Sequence, residues 1–508
     1  MSSPRNPTPG AVPERVASIV AGEPVALRAG GHDLPVVCPA TEETISLLRE
    51  ADAGETSRAV AAARAAFDSG PWPRMDINER KDLLLAIRDR LRAHAEELAL
   101  LEVWNTGIPL THVRGQVARM TRNFEFFAEV ASTLSGETYS QAKGFLTYVT
   151  REPKGVAALI SPWNAPLALS SMRIATCIAF GNTCVLKPSE YTPLAVARTV
   201  ELMHEAGLPA GVVNLVNGRG TVTGTALVSH PDIDMVGFTG GTRTGRAIMQ
   251  AAGANLKPCI LELGGKSANI IDRHADLDRA LDGALAGIYT NNGQQCLAGS
   301  RILLHRDIAP GFLERFVERT RHLRIGDPME AGTEIGPLAY ADHLARVLSY
   351  VGVARADGAQ LLVGGERAAG LSRGYYLLPT AVLAPSNRAR VCQEEIFGPF
   401  ATFLTYDTLE EAIAIANDSP FGLVCYVWSR DLDVVMRVSR EVRAGTIWVN
   451  TPMMRELRAP FGGYKQSGVG RDGATSSAEF FTEFKTTTIP IDAPALPRLG
   501  APSQGVHR

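Results

Sequence analysis

Excess charge of either sign is missing from this chain. Its 508 residues carry 51 Lys and Arg against 53 Asp and Glu, a formal net charge of −2. A polyanion-binding protein shows a strong basic excess, so no nucleic-acid partner is expected. A long lipid-compatible run is missing too. The least charged stretch, residues 155–187, holds Pro162, Asn164, Pro166, Arg173 and Asn182, each costly or disruptive in hydrocarbon. Spanning a bilayer takes about 20 consecutive apolar residues, so no membrane segment is expected. Met1 to Arg15 is proline-rich and lacks the apolar core of a signal peptide. The expected location is cytoplasmic. Residues 1–20 and the proline-rich tail 493–508 are expected to be poorly ordered.

Paired cysteines are missing as well. The seven are Cys38, Cys177, Cys184, Cys259, Cys296, Cys392 and Cys425, with no CxxC pair and no histidines at zinc-ligand spacing. Their odd, scattered number suits free thiols in a reducing compartment, and no metal site is expected. Most of them read as small buried hydrophobes. Short internal repeats, low-complexity blocks and a GxGxxG dinucleotide fingerprint are also lacking.

What remains is an ordinary globular composition, 45% hydrophobic and 20% charged, long enough for two or three domains. Residues 55–130 read as helices, with Val60, Ala63 and Phe67, then Leu83, Leu84, Ile87 and Leu91 at helical spacing. The rhythm changes near Gly155. Short strands are predicted at Val156 to Ile160, Cys184 to Leu186, Val212 to Val216, Met235 to Phe238 and Cys259 to Leu263. Helices are predicted between them: Leu167 to Phe180, one capped by Thr192 and running to Ala206, and one ending at Ala252. A second set adds a helix Leu277 to Asn291, a strand Arg301 to His305, helices Pro310 to Leu323 and Asp342 to Ala356, and a strand Gln360 to Val363. Alternation of this kind means βαβ units, parallel sheets and an α/β fold. Ligands of such sheets bind at the carboxyl ends of the strands.

Six segments stand at those ends: Ser161-Pro-Trp-Asn164, Lys187-Pro-Ser-Glu190, Glu262-Leu-Gly-Gly-Lys266, Asn292-Gly-Gln-Gln-Cys296, Glu394-Glu-Ile-Phe-Gly-Pro399 and Pro460-Phe-Gly-Gly-Tyr-Lys-Gln-Ser-Gly468. Together and in this order they resemble the aldehyde dehydrogenase superfamily, from about residue 30 to residue 490. The resemblance implies a three-part fold. A Rossmann-like NAD-binding domain would comprise 1–138 and 153–264, and a catalytic domain 265–472. An oligomerisation arm would comprise 139–152 and 473–492 and make the protein a homodimer or homotetramer.

It also implies the chemistry. Cys296 would attack an aldehyde, provided its thiol can lose its proton. The Cys296 N–H and the Asn164 side chain would stabilise the oxyanion, one such donor contributing ~3 kcal/mol. Glu262 would activate water to hydrolyse the thioester. Lys187 belongs with both the catalytic and the cofactor residues. Lys187 and Glu190 would hold the adenosine ribose, and a carboxylate there repels a 2′-phosphate, which favours NAD over NADP. Glu395 would hold the nicotinamide ribose beside Phe397, with Trp163 lining the cleft. Ser161, Ser189, Gly220, Gly224 and Leu263 complete the cofactor set, with Phe238, Thr239, Gly240 and Gly241 before a phosphate-facing helix. Gly241 departs from the family pattern, which has a serine there; Thr242 is the alternative cap.

Asn450-Thr-Pro-Met-Met-Arg-Glu-Leu-Arg-Ala-Pro-Phe-Gly places Arg455 and Arg458 just before the glycine turn. This resembles the branch acting on muconic semialdehydes, acidic products of aromatic ring cleavage such as 5-carboxymethyl-2-hydroxymuconate semialdehyde. Arginine binds a carboxylate through two parallel hydrogen bonds. Arg455 is the first candidate, and Arg458 and Arg119 follow. Three alternatives stay open on sequence alone: a neutral or cationic aldehyde, transfer of the acyl group to coenzyme A, and a binding protein built on an inactive fold.

Overall fold

The protein is described here by a computed structural model covering residues 7, 10–26, 31–139, 144–493 and 495–500. Parts of the expected disordered ends, 1–6, 8–9, 494 and 501–508, lie outside the described residues, as do 140–143 of the expected arm.

Apolar runs without alternation build the first sheet. Val156–Ile160, Thr183–Lys187, Val213–Leu215, Met235–Thr239 and Cys259–Glu262 are parallel, and almost every position is buried. Burial on both faces is why these strands read as continuous hydrophobic stretches. Val156–Ile160 is central. The chain moves outward from it to Thr183–Lys187 and Val213–Leu215, then crosses to Met235–Thr239 and Cys259–Glu262 on its other side. That reversal opens a crevice beside the ends of Ile160 and Phe238, where open α/β sheets take ligands. Helix Pro166–Ala179 is buried at nearly every position, because it lies between this sheet and helix Leu110–Ser132.

The second sheet runs Gln360–Val363, Thr380–Leu383, Phe400–Tyr406, Arg301–His305, Ala268–Ile271, Val424–Trp428, Thr446–Val449, parallel except for its first strand. Gly468–Val469 returns to pair antiparallel with Cys259–Glu262, carrying the glycine-rich turn to the edge of the first sheet. A third sheet joins Glu137–Tyr139, Phe145–Pro153 and Thr482–Pro490.

Four expectations need correction. Residues 15–20 are not loose: Arg15–Val16 and Ile19–Val20 pair with Leu47–Leu48 and Leu215. Thr192 caps no helix. The helix begins at Leu194, its N–H taken by Asn105 Oδ1 at 3.0 Å, and the Thr192 hydroxyl is buried without a partner. Thr242 is already inside its helix, Thr242–Gly253, with Gly241 at the cap position and no side-chain cap. The helix expected to reach Asn291 stops at Tyr289, because Asn291, Asn292 and Gly293 all take left-handed backbone angles (φ 60°, 56° and 70°).

Candidate active site

The left-handed turn aims the chain at Cys296. Asparagine and glycine are the residues that tolerate such angles best, and each of the three is fixed from outside. Asn291 Nδ2 donates to Asn164 O (2.8 Å) and Gln294 O (3.0 Å), and Asn291 Oδ1 accepts from Gln116 Nε2 (2.9 Å). Asn292 Nδ2 donates to Gly107 O and Pro337 O at 3.1 and 2.9 Å, and its Oδ1 accepts from Gly336 N at 2.8 Å. A Cβ on Gly293 would lie 2.2 Å from the carbonyl carbon of Gly398. Asn164 Nδ2 donates one hydrogen to Gln294 O at 2.9 Å, two residues before Cys296. An amide has two N–H groups, so the other remains for an oxygen bound near the thiol.

Cys296 is half-buried, with Gly265 against its carbonyl, where a Cβ would come within 2.8 Å. Burial pushes its thiol up to about 12, Glu395 and Glu262 push the same way, and Arg119 opposes them. The surroundings therefore favour the thiolate chiefly through Arg119. Glu262 ends its strand, buried, with Oε1 lacking any partner. Burial first and Asp472 second raise it to about 8; Arg173, Arg455 and Arg471 pull it down. A Cβ on Gly462 would lie 2.9 Å from this Oε1, so the glycine turn floors the carboxylate.

Glu395 sits in a cradle of glycine. Its Oε1 accepts from Gly265 N at 2.9 Å, and a Cβ on Gly264 would meet Oε2 at 2.2 Å. Burial holds it at about 7. Beside it Trp163 packs edge-on to Tyr340, His343 and Phe397, with ring centres 5.3, 4.9 and 5.3 Å apart. Phe397 is left-handed (φ 64°), and its carbonyl lies 2.7 Å from His343 Nε2. Burial lowers His343 to about 4, so the ring is neutral, and facing a carbonyl its Nε2 must carry the proton.

At the other end of the crevice, Lys187 Nζ donates to Pro188 O at 2.9 Å and meets Glu190 Oε2 at 3.4 Å. Burial lowers Lys187 while Glu190 supports its charge. Gly224 packs beside the Lys187 stem, where a Cβ would make only ordinary contact, 3.5 Å from Cδ. Gly220 begins the same turn of helix. Ser161 Oγ accepts from Ser170 Oγ at 2.8 Å, Ser189 Oγ from Tyr191 N at 3.3 Å, and Leu263 N donates to Ser467 O at 2.9 Å. Thr239 ends the adjacent strand, and Gly240 N donates to Glu262 O at 3.0 Å. A Cβ on Gly240 would strike the Phe238 ring at 2.5 Å, whereas one on Gly241 would meet nothing within 4 Å. Sterics therefore do not explain the glycine at 241. It leaves the first N–H groups of that helix without a side-chain cap.

The three arginines part company. Arg119, on the helix carrying Gln116, feels both Cys296 and Arg455 and is lowered by burial to about 10. Arg455 lies 4.2 Å over the Phe461 ring, and its Nε has no partner. Burial lowers it, while Asp472 and Glu262 favour its charge. Arg458 does not join them. It is exposed and forks onto Glu456, Nε to Oε1 and Nη2 to Oε2 both at 2.9 Å.

The sequence reading passed over a buried ion pair beneath the site, Arg173 Nη1 to Asp472 Oδ1 at 2.6 Å, with side chains 3% and 6% exposed. A signal was present: an arginine within the least charged stretch of the chain needs a buried counter-charge. Arg173→Leu is expected to cost about 3–5 kcal/mol, the penalty for stranding one charge of a buried pair. It should also push Glu262 higher still by removing a nearby cation. Denaturant unfolding checks the first. A loss below about 1 kcal/mol would show that Asp472 is solvated or neutral instead.

With this geometry in hand, likeness to other proteins is informative. Residues 27–487 match the aldehyde dehydrogenase family. The chain is 42% identical over 447 residues to 5-carboxymethyl-2-hydroxymuconate semialdehyde dehydrogenase of Escherichia coli, covering 87% of this chain and 94% of that one. It is 40% identical over 453 residues to betaine aldehyde dehydrogenase of Bacillus subtilis, covering 89% and 92%. The solved NAD+ complex of an aldehyde dehydrogenase from Bacillus cereus superposes with a TM-score of 0.93 at 38% identity, covering 96% of this chain and all of that one. Among the described residues no helix is long and apolar enough to cross a membrane. This chain belongs to the aldehyde dehydrogenase family: it is an oxidoreductase that oxidises aldehydes on the family's α/β fold.

Proposed function

We propose that this enzyme oxidises an acidic aldehyde to the carboxylic acid with NAD, through a thioester on Cys296. The observation that carries the substrate class is the pair Arg119 and Arg455. Both are largely withdrawn from water, both are electrostatically coupled to Cys296, and no hydrogen bond to either guanidinium is seen among the described residues. Arg455 repels Arg119, and although Asp472 and Glu262 favour the charge of Arg455, no carboxylate hydrogen-bonds either guanidinium among the described residues. An anionic substrate relieves that repulsion, and a cationic aldehyde would worsen it. The likeness to the muconic semialdehyde enzyme agrees.

The steps follow from the residues. Cys296 Sγ bonds to the aldehyde carbon, and the thiol proton leaves. The Glu262 carboxylate is the acceptor; with the thiol at about 12 and the carboxyl at about 8 the transfer is uphill in the resting enzyme and is completed only as the carbon–sulfur bond forms. The new oxyanion takes the free N–H of Asn164 and the Cys296 N–H. When bound, NAD accepts the hydride that turns the thiohemiacetal into a thioester. Glu262 passes the thiol proton to solvent and, as the carboxylate again, draws a proton from water, which attacks the thioester carbon; the carbon–sulfur bond breaks, Glu262 returns its proton to the departing thiolate, and the acid is released.

The residues present fit the cofactor. Glu395 in its glycine cradle, Trp163 and Phe397 would hold the nicotinamide end. Lys187 and Glu190 would hold the ribose, and the uncapped helix start at Gly241 the phosphates. The solved relative binds NAD+. On the same reading residues 1–138 with 153–264 form the cofactor domain and 265–472 the catalytic domain. The arm, 139–152 and 473–492, assembles a dimer or tetramer, the exposed Tyr139, Leu146 and Phe484 of its sheet awaiting a second copy. Seven free cysteines suit the cytoplasm.

Kinetics with an acidic semialdehyde and an uncharged analogue test the substrate class. Arg455→Ala and Arg119→Ala should each lower kcat/KM for the acid by about 10- to 100-fold, the worth of a charge-assisted contact, and leave the uncharged aldehyde nearly unaffected. Equal kcat/KM for the two substrates in wild type, unchanged in both variants, would sink the acidic reading.

A further inference from the structure

We infer that Asn291 is a positioning residue, whose amide locks the Asn164 backbone, the Cys296 loop and the Arg119 helix into one register. The inference rests on the proposed roles of Cys296 and Asn164. All three functional atoms of the Asn291 amide are spent. Its two N–H groups reach Asn164 O and Gln294 O, and its oxygen takes Gln116 Nε2. Gln294 O is shared: it accepts from Asn291 Nδ2 and from Asn164 Nδ2. Asn164 is thus held at its backbone carbonyl by the Asn291 amide and at its side chain by the Gln294 carbonyl of the cysteine loop. Gln116 lies one helical turn before Arg119, so the same link reaches the helix bearing a proposed substrate cation.

The backbone shows the same purpose. Asn291 and Asn292 are non-glycine residues in consecutive left-handed conformations. Such strain persists only where surrounding contacts over-determine it. Here it is held by seven hydrogen bonds: the three of Asn291, the three of Asn292, and Asn164 Nδ2 to Gln294 O. Glycine would meet the backbone requirement at 291 more easily. What asparagine adds is the amide.

Three variants separate amide from backbone. Asn291→Gly keeps the left-handed turn and deletes the amide. It should lower kcat by about 10- to 100-fold while KM for the aldehyde stays within about threefold, as expected for a misaligned oxyanion donor. Alkylation of Cys296 by iodoacetamide builds no oxyanion at a carbonyl carbon, so its rate should stay within about twofold. Asn291→Asp keeps the shape and faces two carbonyls with an acceptor, so its loss of kcat should be larger. If Asn291 acts through Asn164, then Asn164→Ala with Asn291→Gly should be no slower than Asn164→Ala alone.

Multiplicative losses in the double variant, or wild-type kcat in Asn291→Gly, would overturn the inference. So would alkylation slowed in step with kcat, which marks a collapsed loop. An Asn164→Ala enzyme with wild-type kcat would overturn the underlying reading instead, and the inference with it.

Discussion

Replacing Glu262 by Gln is expected to permit one turnover per active site and all but stop the next. The substitution keeps size and shape at a buried strand end, so the fold has little reason to respond. It removes the carboxylate proposed to take a proton from water beside the thioester, while Glu395 is committed to Gly265 N and Asp472 to Arg173. Loss of a general base is worth about 10²–10⁴-fold. Mixing the variant with NAD and aldehyde should therefore give a burst of NADH approaching one per site, followed by steady turnover slower by that factor. Intact-protein mass should show the acyl group accumulating on the enzyme. Hydroxylamine, a nucleophile that needs no base, should restore release. The burst should be slower than in wild type, because Glu262 also receives the thiol proton; its amplitude is the diagnostic. Steady turnover within about threefold of wild type, or no acyl adduct, would remove Glu262 from the mechanism.

The pH dependence follows with a definite sign. Burial and Asp472 hold the Glu262 carboxyl at about 8. A base works only when deprotonated. Hydrolysis in the wild type should therefore climb as pH rises through 7 and 8 and level off above, and this limb should vanish in Glu262→Gln. An ordinary exposed carboxylate would give a limb near 4 instead.

What the sequence disclosed and what it hid have different physical causes. Parallel strands buried on both faces appear as unbroken apolar runs, which is why Val156–Ile160 and Arg301–His305 could be placed to the residue. Motifs at strand ends placed Asn164 and Glu262 in one neighbourhood for the same reason: the carboxyl edge of a parallel sheet gathers them. Cys296 reaches them from the loop between helix Leu277–Tyr289 and strand Arg301–His305. Caps were misread, because Thr192 and Thr242 have the right chemistry one residue from where the backbone needed it. The left-handed turn at 291–293 escaped because helical periodicity runs up to it and nothing local forbids its continuing. Its hydrogen bonds come from Gln116, Gly336 and Asn164, distant in sequence. The arginines show the limit of motif reading. Arg455 and Arg458 are three residues apart and chemically alike, yet one is turned inward over Phe461 and the other pairs with Glu456 at the surface. Only tertiary packing makes that distinction.

Cys296→Ala should abolish turnover, by about 10⁴-fold or more, the scale seen when a covalent nucleophile is removed. The more searching form of this prediction uses the other six thiols as internal controls. Five of the seven cysteines, Cys38, Cys177, Cys184, Cys392 and Cys425, are buried, leaving Cys259 and Cys296 within reach of a reagent. Native enzyme treated with iodoacetamide should carry at most two labels, at these positions, and activity should decay with the label on Cys296 alone. The Cys296 thiol is pushed up to about 12 by burial and by Glu395 and Glu262. Its thiolate fraction, and hence the labelling rate, should therefore rise about tenfold per pH unit between 7 and 10. A thiol activated in the resting enzyme would show a plateau there. The slope thus decides whether the nucleophile is poised beforehand or is ionised only as it attacks, with Glu262 taking the proton. If Cys296→Ala retained turnover, or if inactivation followed Cys259, the covalent mechanism would fall, whatever the likeness of the fold.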